Sequence, residues 1–296
     1  MYNTDIQTYF SECPRIIVIG DVHGDLGRLT ECLYATKVIN QNGEWIAEPK
    51  NTIVVQLGDQ VDSLSRGGPD GWEKLPDTDV LYFMDKLDHT ARLHGGRVLS
   101  LIGNHELMNV LGDFNYVSKK SMGSMGEQLR RVKFSPGGTL ATLLSKRCVV
   151  LKIGPCLFVH GGILPHHVNA VNNNLHALNE VTRKFLRKEE LSPEEQAVLT
   201  SCVIGEQGLL WTRAYMELTH NEQVLEMLMT EVLKTTDAKM VCVGHNTVSR
   251  ISPLCKGKLW MVDAALSRSY GNPSFQVLEI LDNGETFRVN EIQQNT

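Results

Sequence analysis

The stretch RIIVIGDVHGDLGRL, Arg15–Leu29, decides how the rest of the chain is read. An apolar run from Ile16 to Ile19 stops at Gly20, and Asp21, His23 and Asp25 follow with only Val22 and Gly24 between them. Isoleucine and valine without alternation predict a strand covered on both faces. Carboxylates and an imidazole at its end are costly unless they are paired, hydrogen-bonded or bound to a metal. Taken alone, the motif fits a strand running into a polar turn, with His23 at the surface, as well as it fits a metal site. The decision lies further along the chain.

Similar apolar runs recur at Ile53–Leu57, Val98–Ile102, Val149–Ile153, Leu157–Val159 and Met240–Val243. Helical periodicity falls between them, at Leu26–Thr36, Asp79–Leu93, Gly138–Ser145, Leu175–Arg187, Pro193–Ser201 and Glu222–Lys234. That interleaving predicts an α/β fold. Further strands are expected at Leu259–Val262, Phe275–Leu281 and Thr286–Ile292, the last two flanking a DNGE hairpin turn. The expectation is a mixed sheet, or two mixed sheets packed face to face and flanked by helices. Residues 1–296 are expected to form one domain, with a helical insertion at about 165–235. Two long loops rich in Gly and Pro, Asn40–Thr52 and Ser63–Asp79, are of a length that usually carries function or motion.

Each strand end repeats the opening pattern. After Leu57 comes GDQVD with Asp59 and Asp62; after Ile102 comes GNHE with Asn104, His105 and Glu106; after Val159 comes HGG with His160; after Val243 comes GHN with His245. Sites in open α/β sheets are built at the carboxyl ends of strands, so these residues are expected to converge. Carboxylate, imidazole and amide oxygen together suit a divalent ion such as Mn, Fe, Zn or Mg. They outnumber the ligands of one ion, and two metals sharing a carboxylate would use them.

The composition excludes other classes. A net charge of −5 provides no basic field for a nucleic acid partner, and acidic groups are free to gather around cations. Seven cysteines without a CxxC pair indicate reduced thiols, with Cys148, Cys156 and Cys242 in the core. The N-terminal MYNTDIQTYFSECP lacks the features of a signal peptide, and no run of apolar residues is long enough for a membrane span. The expected location is cytoplasmic, with no membrane partner.

Five motifs in order, GDVHG, GDQVD, GNHE, HGG and GHN, resemble those of the calcineurin-like metallophosphoesterases, and more narrowly of the phosphoprotein phosphatase (PPP) family. FSPGGTLATLL, LFVHGGI, GLLWTRAY and DAALSRSYG resemble its Shewanella-like, bacterial-type branch; the likeness runs from about Ile16 to Tyr270. It implies that fold and two divalent ions, Mn first, with Fe, Zn or Mg as alternatives. It implies Asp21 and His23 as ligands of the first ion, Asp59 as the bridge, and Asn104, His160 and His245 as ligands of the second. His105 is implied as the general acid, oriented by Asp62, and Arg213 as a phosphate-binding arginine. The implied activity is a phosphoprotein phosphatase that hydrolyses phosphomonoesters by direct attack of a metal-bridging hydroxide, with a phosphorylated protein or peptide as substrate. GHNTV lacks the second histidine of GHxH that many phosphodiesterases of the superfamily carry, which is the phosphatase form.

One departure bears on substrate binding. The PPP family reads GDxVDRG, and here Ser63 stands where an arginine clamps the phosphate; Arg66 is the candidate to supply that charge from the same loop. Two alternatives follow: a hydrolase of small phosphorylated molecules such as dinucleoside polyphosphates, and a catalytically weak relative that binds phosphorylated partners. Among weaker features, Glu106 is expected to support its neighbours by hydrogen bonds, and Tyr270 either to line the cleft or to pack. His166, His167, His176 and His220 read as surface histidines. RVKF, Arg131–Phe134, resembles a phosphatase docking motif, but Phe134 reads as core. The sequence assigns no regulatory partner.

Overall fold

A computed structural model describes residues 7–293. The opening strand, Arg15–Ile19, explains its own composition: Ile16 and Val18 face one buried layer, Ile17 and Ile19 another, and all four are fully enclosed. A strand with two dry faces has no place for alternating polar residues.

Strands are numbered along the chain: β1 Tyr9–Phe10, β2 Arg15–Ile19, β3 Ile53–Gln56, β4 Arg97–Ser100, β5 Val150–Ile153, β6 Cys156–Val159, β7 Met240–Val243, β8 Pro253–Leu254, β9 Leu259–Met261, β10 Ser274–Leu281 and β11 Thr286–Gln293. They form two mixed sheets, of order β11-β10-β2-β3-β4 and β1-β5-β6-β7-β9-β8. In the first, β2, β3 and β4 run parallel, and the β10–β11 hairpin joins β2 antiparallel. In the second, β6, β7 and β9 are parallel. The sheets meet over Val18, Val55, Leu57, Leu151, Phe158, Cys242, Trp260 and Leu278. Helices Leu26–Ala35 and Asp79–Leu93 cover the outer face of the first sheet. The outer face of the second packs against helices Leu175–Leu186 and Glu222–Thr236.

The expected strands and long helices are present within a few residues of their anticipated ends, and DNGE closes the β10–β11 hairpin. Short helices were not anticipated, among them Asn104–Leu111, Lys119–Met125, Glu127–Phe134 and Pro165–Ala170. RVKF lies in one of them with Phe134 fully buried, as its core reading requires. All seven cysteines are free and buried. His167 corrects its surface reading. It is buried, Nδ1 accepting from the Leu164 amide at 3.0 Å and Nε2 donating to the Gln207 carbonyl at 2.8 Å. Among the described residues, no helix is long and apolar enough to cross a membrane.

Candidate metal centre and phosphate cleft

The carboxyl ends of β2, β3, β6 and β7, with the helix that follows β4, open into one cleft of roughly 610 Å³. Asp21, His23, Asp59, Asn104, His105 and His245 line it, with Arg66, Arg213 and Tyr270. His160 is fully buried beneath, against Asp59 and Asn104. The three polar residues of the opening stretch therefore part ways. Asp21 and His23 enter the cleft, whereas Asp25 caps helix Leu26–Ala35, accepting from the amides of Arg28 at 3.0 Å and Arg268 at 2.8 Å.

The backbone here is drawn tight. His23, Asp59, Asp62 and His245 all have left-handed φ, between 44° and 69°. Non-glycine residues held there are strained, and such strain gathers at functional sites. Gly58, at φ 101°, and Gly103 approach so closely that a Cβ on Gly58 would lie 2.7 Å from the Gly103 nitrogen, and one on Gly103 would collide with the Asp59 carboxylate. Glu106, fully buried, braces this junction by accepting from the amides of Gly103 (2.7 Å), Asp59 (2.9 Å), Gln60 (2.7 Å) and Val61 (3.1 Å).

Two groups of side chains have ligand atoms mutually within 4.8 Å: His23, Asp59 and His105, and Asp59, His160 and His245. Asp59 belongs to both. His160 Nδ1 donates to the Leu57 carbonyl at 2.7 Å, which turns Nε2 toward Asn104 Oδ1 at 2.9 Å and Asp59 Oδ1 at 3.3 Å. His245 Nε2 donates to the Trp211 carbonyl at 3.1 Å and leaves Nδ1 its lone pair. Such outer hydrogen bonds fix the tautomer of a ligating imidazole. Asp21 stands in neither group; it accepts from the His245 amide at 3.1 Å and lies 3.9 Å from His160 Nδ1.

The donor set fits divalent cations. Asn104 Oδ1 and Asp59 Oδ1 are acceptors turned on His160 Nε2, so a positive charge, a proton or a cation, has to sit among them. Burial opposes charge on His160, yet Asp59 and Asp21 lift its pKa to about 10. Burial, with Arg66 and His105 beside it, pushes His23 well down, and burial with His160 pushes His245 to about 3, so both imidazoles keep a free lone pair. Burial and the Asp263 carboxylate push Asp21 well up. Buried carboxylates in this number need compensating charge.

His105 is tied differently. Its Nδ1 bonds Asp62 Oδ2 at 2.7 Å, leaving Nε2 toward the cleft, 3.8 Å from Asp59 Oδ2 and 3.5 Å from an Arg66 nitrogen. Burial opposes its protonation, but Asp59 and Asp62 prevail and raise its pKa. Ser63 does not face the cleft: its hydroxyl bonds those of Ser118 (3.0 Å) and Ser121 (3.1 Å) in a fully buried cluster. Arg66 does, set over the rings of Tyr116 and Tyr270 at 5.7 and 5.8 Å and anchored by its amide to the Ser269 carbonyl at 2.7 Å. Arg213 Nη1 donates to the His245 carbonyl at 3.2 Å. Tyr116, Trp211 and Thr247 also stand in the cleft wall; Trp211 and Thr247 lie within the motifs GLLWTRAY and GHNTV, whereas no local pattern marks Tyr116.

Two face-to-face mixed sheets with histidines and carboxylates gathered at their strand ends define a metallophosphoesterase class of architecture. The sequence profile described as calcineurin-like phosphoesterase matches residues 14–248, and the chain belongs to that family. It is similar to Shewanella-like protein phosphatase 2 of Arabidopsis thaliana, 27% identical over 94% of this chain and 78% of the relative. Shewanella-like protein phosphatase 1 of Plasmodium berghei is 28% identical over 90% of this chain and 72% of its own. The crystal structure of a cold-active protein-tyrosine phosphatase of a psychrophilic Shewanella shares the fold, with a TM-score of 0.76 at 24% identity over 97% of this chain and 83% of that one.

Proposed function

We propose that the chain is a binuclear-metal phosphomonoesterase acting on phosphoproteins, organised as one catalytic domain. The observation that carries this reading is that Asp59 belongs to two ligand groups, one of which includes His105, an imidazole held by its own carboxylate, in a cleft lined also by two arginines. Asp21, His23 and Asp59 would hold one ion, and Asp59, Asn104, His160 and His245 the other. Bound divalent ions supply charge neutralisation and an activated water.

The remaining steps fall to side chains of the chain. Arg213 and Arg66 bind the phosphate oxygens, and a guanidinium matches two of them at once. Their charge gains in value as negative charge develops on the phosphoryl group. His105 Nε2 gives its proton to the departing oxygen, and Asp62, on Nδ1, keeps the ring in that orientation and stabilises its charged form. The names of the relatives support a phosphorylated protein or peptide as substrate.

The test combines elemental analysis with turnover of phosphopeptides, dinucleoside tetraphosphate and an aryl phosphate. About two ions per chain, hydrolysis of the phosphopeptides and loss of activity on chelation are expected. Full activity after chelation overturns the metal mechanism, and preference for the dinucleotide overturns the substrate class.

A further inference from the structure

The His105–Asp62 pair is one side of a larger closed ring. Asp62 Oδ1, the oxygen not bonded to His105, accepts from Asn109 Nδ2 at 2.8 Å and faces Arg130 Nη2 at 3.5 Å. Asn109 lies one turn beyond His105 on helix Asn104–Leu111, and its Nδ2 also donates to the His105 carbonyl at 2.9 Å. An asparagine amide is oriented by its partners. Here Arg130 Nε donates to Asn109 Oδ1 at 2.7 Å, which turns the NH₂ group toward Asp62. Asp77 grips Arg130 with both oxygens, at 2.9 and 2.8 Å, and closes the ring by accepting from the Asp62 backbone amide at 2.9 Å. Asp62, Asp77 and Arg130 are 0% exposed and Asn109 is 1% exposed.

A buried arginine needs a carboxylate partner, and Asp77 alone meets that need. Pinning helix Glu127–Phe134 to the loop before helix Asp79–Leu93 would require no more than this pair. The Nε–Asn109 bond adds something else: through it the guanidinium selects the amide orientation, and with it the rotamer of Asp62.

We infer that Arg130, acting through Asn109, is a positioning residue that holds Asp62, and so His105, in the orientation for proton donation. The inference rests on the acid role proposed for His105. Loosening the ring lets the imidazole turn, which slows the step that needs its proton and leaves phosphate binding and ion binding alone.

The test compares Arg130→Met, Asn109→Ala and His105→Asn with wild type in the metal-loaded enzyme, on aryl phosphates whose phenols differ in acidity. Arg131→Met, on the exposed face of the same helix, is the control. Arg130→Met and Asn109→Ala should lower kcat by about 10- to 100-fold for poorly acidic phenols and by less than about 3-fold for the most acidic, as expected of a small displacement of a reacting group. KM should stay within about twofold and the ion content should match wild type, because the arginines and ligands are untouched. Asn109→Ala keeps the Arg130–Asp77 pair, so it decides the matter even if Arg130→Met does not fold. An Asn109→Ala enzyme with wild-type kcat, or with an equal loss on every phenol, overturns the positioning role. If His105→Asn loses far more activity on poorly acidic phenols than on acidic ones and Asn109→Ala does not, only the positioning role fails. If His105→Asn itself loses activity equally on every phenol, the acid assignment fails and the positioning role with it.

Discussion

At the level of single residues, the cleft divides its tasks among side chains whose partners differ. His105 has given Nδ1 to Asp62, unlike His160 and His245, whose outer bonds run to backbone carbonyls. On the acid role proposed for it, His105→Asn should keep about two ions per chain while slowing hydrolysis by roughly 10²–10⁴-fold for poor leaving groups; loss of an ion in elemental analysis would instead make His105 a ligand. The arginines give a second comparison. With Ser63 turned into a buried hydroxyl cluster, Arg66 is the cation of its loop that reaches the cleft. Arg66→Ala and Arg213→Ala should each lower kcat/KM by about 10²-fold, on the order of 3 kcal/mol. An unchanged Arg66→Ala enzyme would leave Arg213 as the sole clamp. Ser63→Arg, which the family pattern suggests as a repair, should instead destabilise the fold, because the guanidinium would replace a hydroxyl with no space around it. A lowered Tm with an unchanged phosphate inhibition constant is the expected result.

Secondary-structure elements carry these side chains with different degrees of legibility. The glycine beside a ligand-type residue at each strand end is a local pattern, so the convergence of β2, β3, β6 and β7 could be read from the sequence. Helix Asn104–Leu111 could not: eight residues, half of them polar, directly after a strand give too little periodicity, and Gly103 is a weak sign of a cap. The orientation of Ser63 depends on Ser118 and Ser121, more than fifty positions away, and the burial of Arg130 depends on Asp77 at a similar distance. No short pattern encodes such pairs. His167 shows the same limit, its polar neighbours in sequence hiding a dry site between helix Pro165–Ala170 and Gln207. Burial, with His166 beside it, lowers its pKa to about 4. The unfolded chain, with a histidine near 6.5, then binds more protons between these values. The stability this neutral imidazole contributes is complete above pH 6.5, on the order of 3 kcal/mol, and is lost as pH falls toward 4. Denaturant titrations across that window should show a shallower slope, by about one proton, in His167→Gln; an unchanged slope would mean that the ring is protonated in the folded state.

For the molecule as a whole, the candidate ligands come from both layers of the sandwich: Asp21, His23, Asp59 and Asn104 follow strands of one sheet, His160 and His245 strands of the other. Ions that bind only the folded chain stabilise it by mass action, about 2.7 kcal/mol at a hundredfold excess over Kd. Chelation should thus lower Tm along with activity, and added Mn should restore both; a Tm indifferent to chelator would place the ions outside the folding equilibrium. The shared carboxylate of Asp59 extends this argument to dynamics. An ion held by Asp59 and Asn104 from one layer and by His160 and His245 from the other would act as a rivet between them, so neither layer could peel away alone without surrendering its share of the coordination. Amide protons of β2 and β3 should then exchange with the same opening free energy as those of β6 and β7 in the loaded protein, and separate into two classes once the rivet is withdrawn.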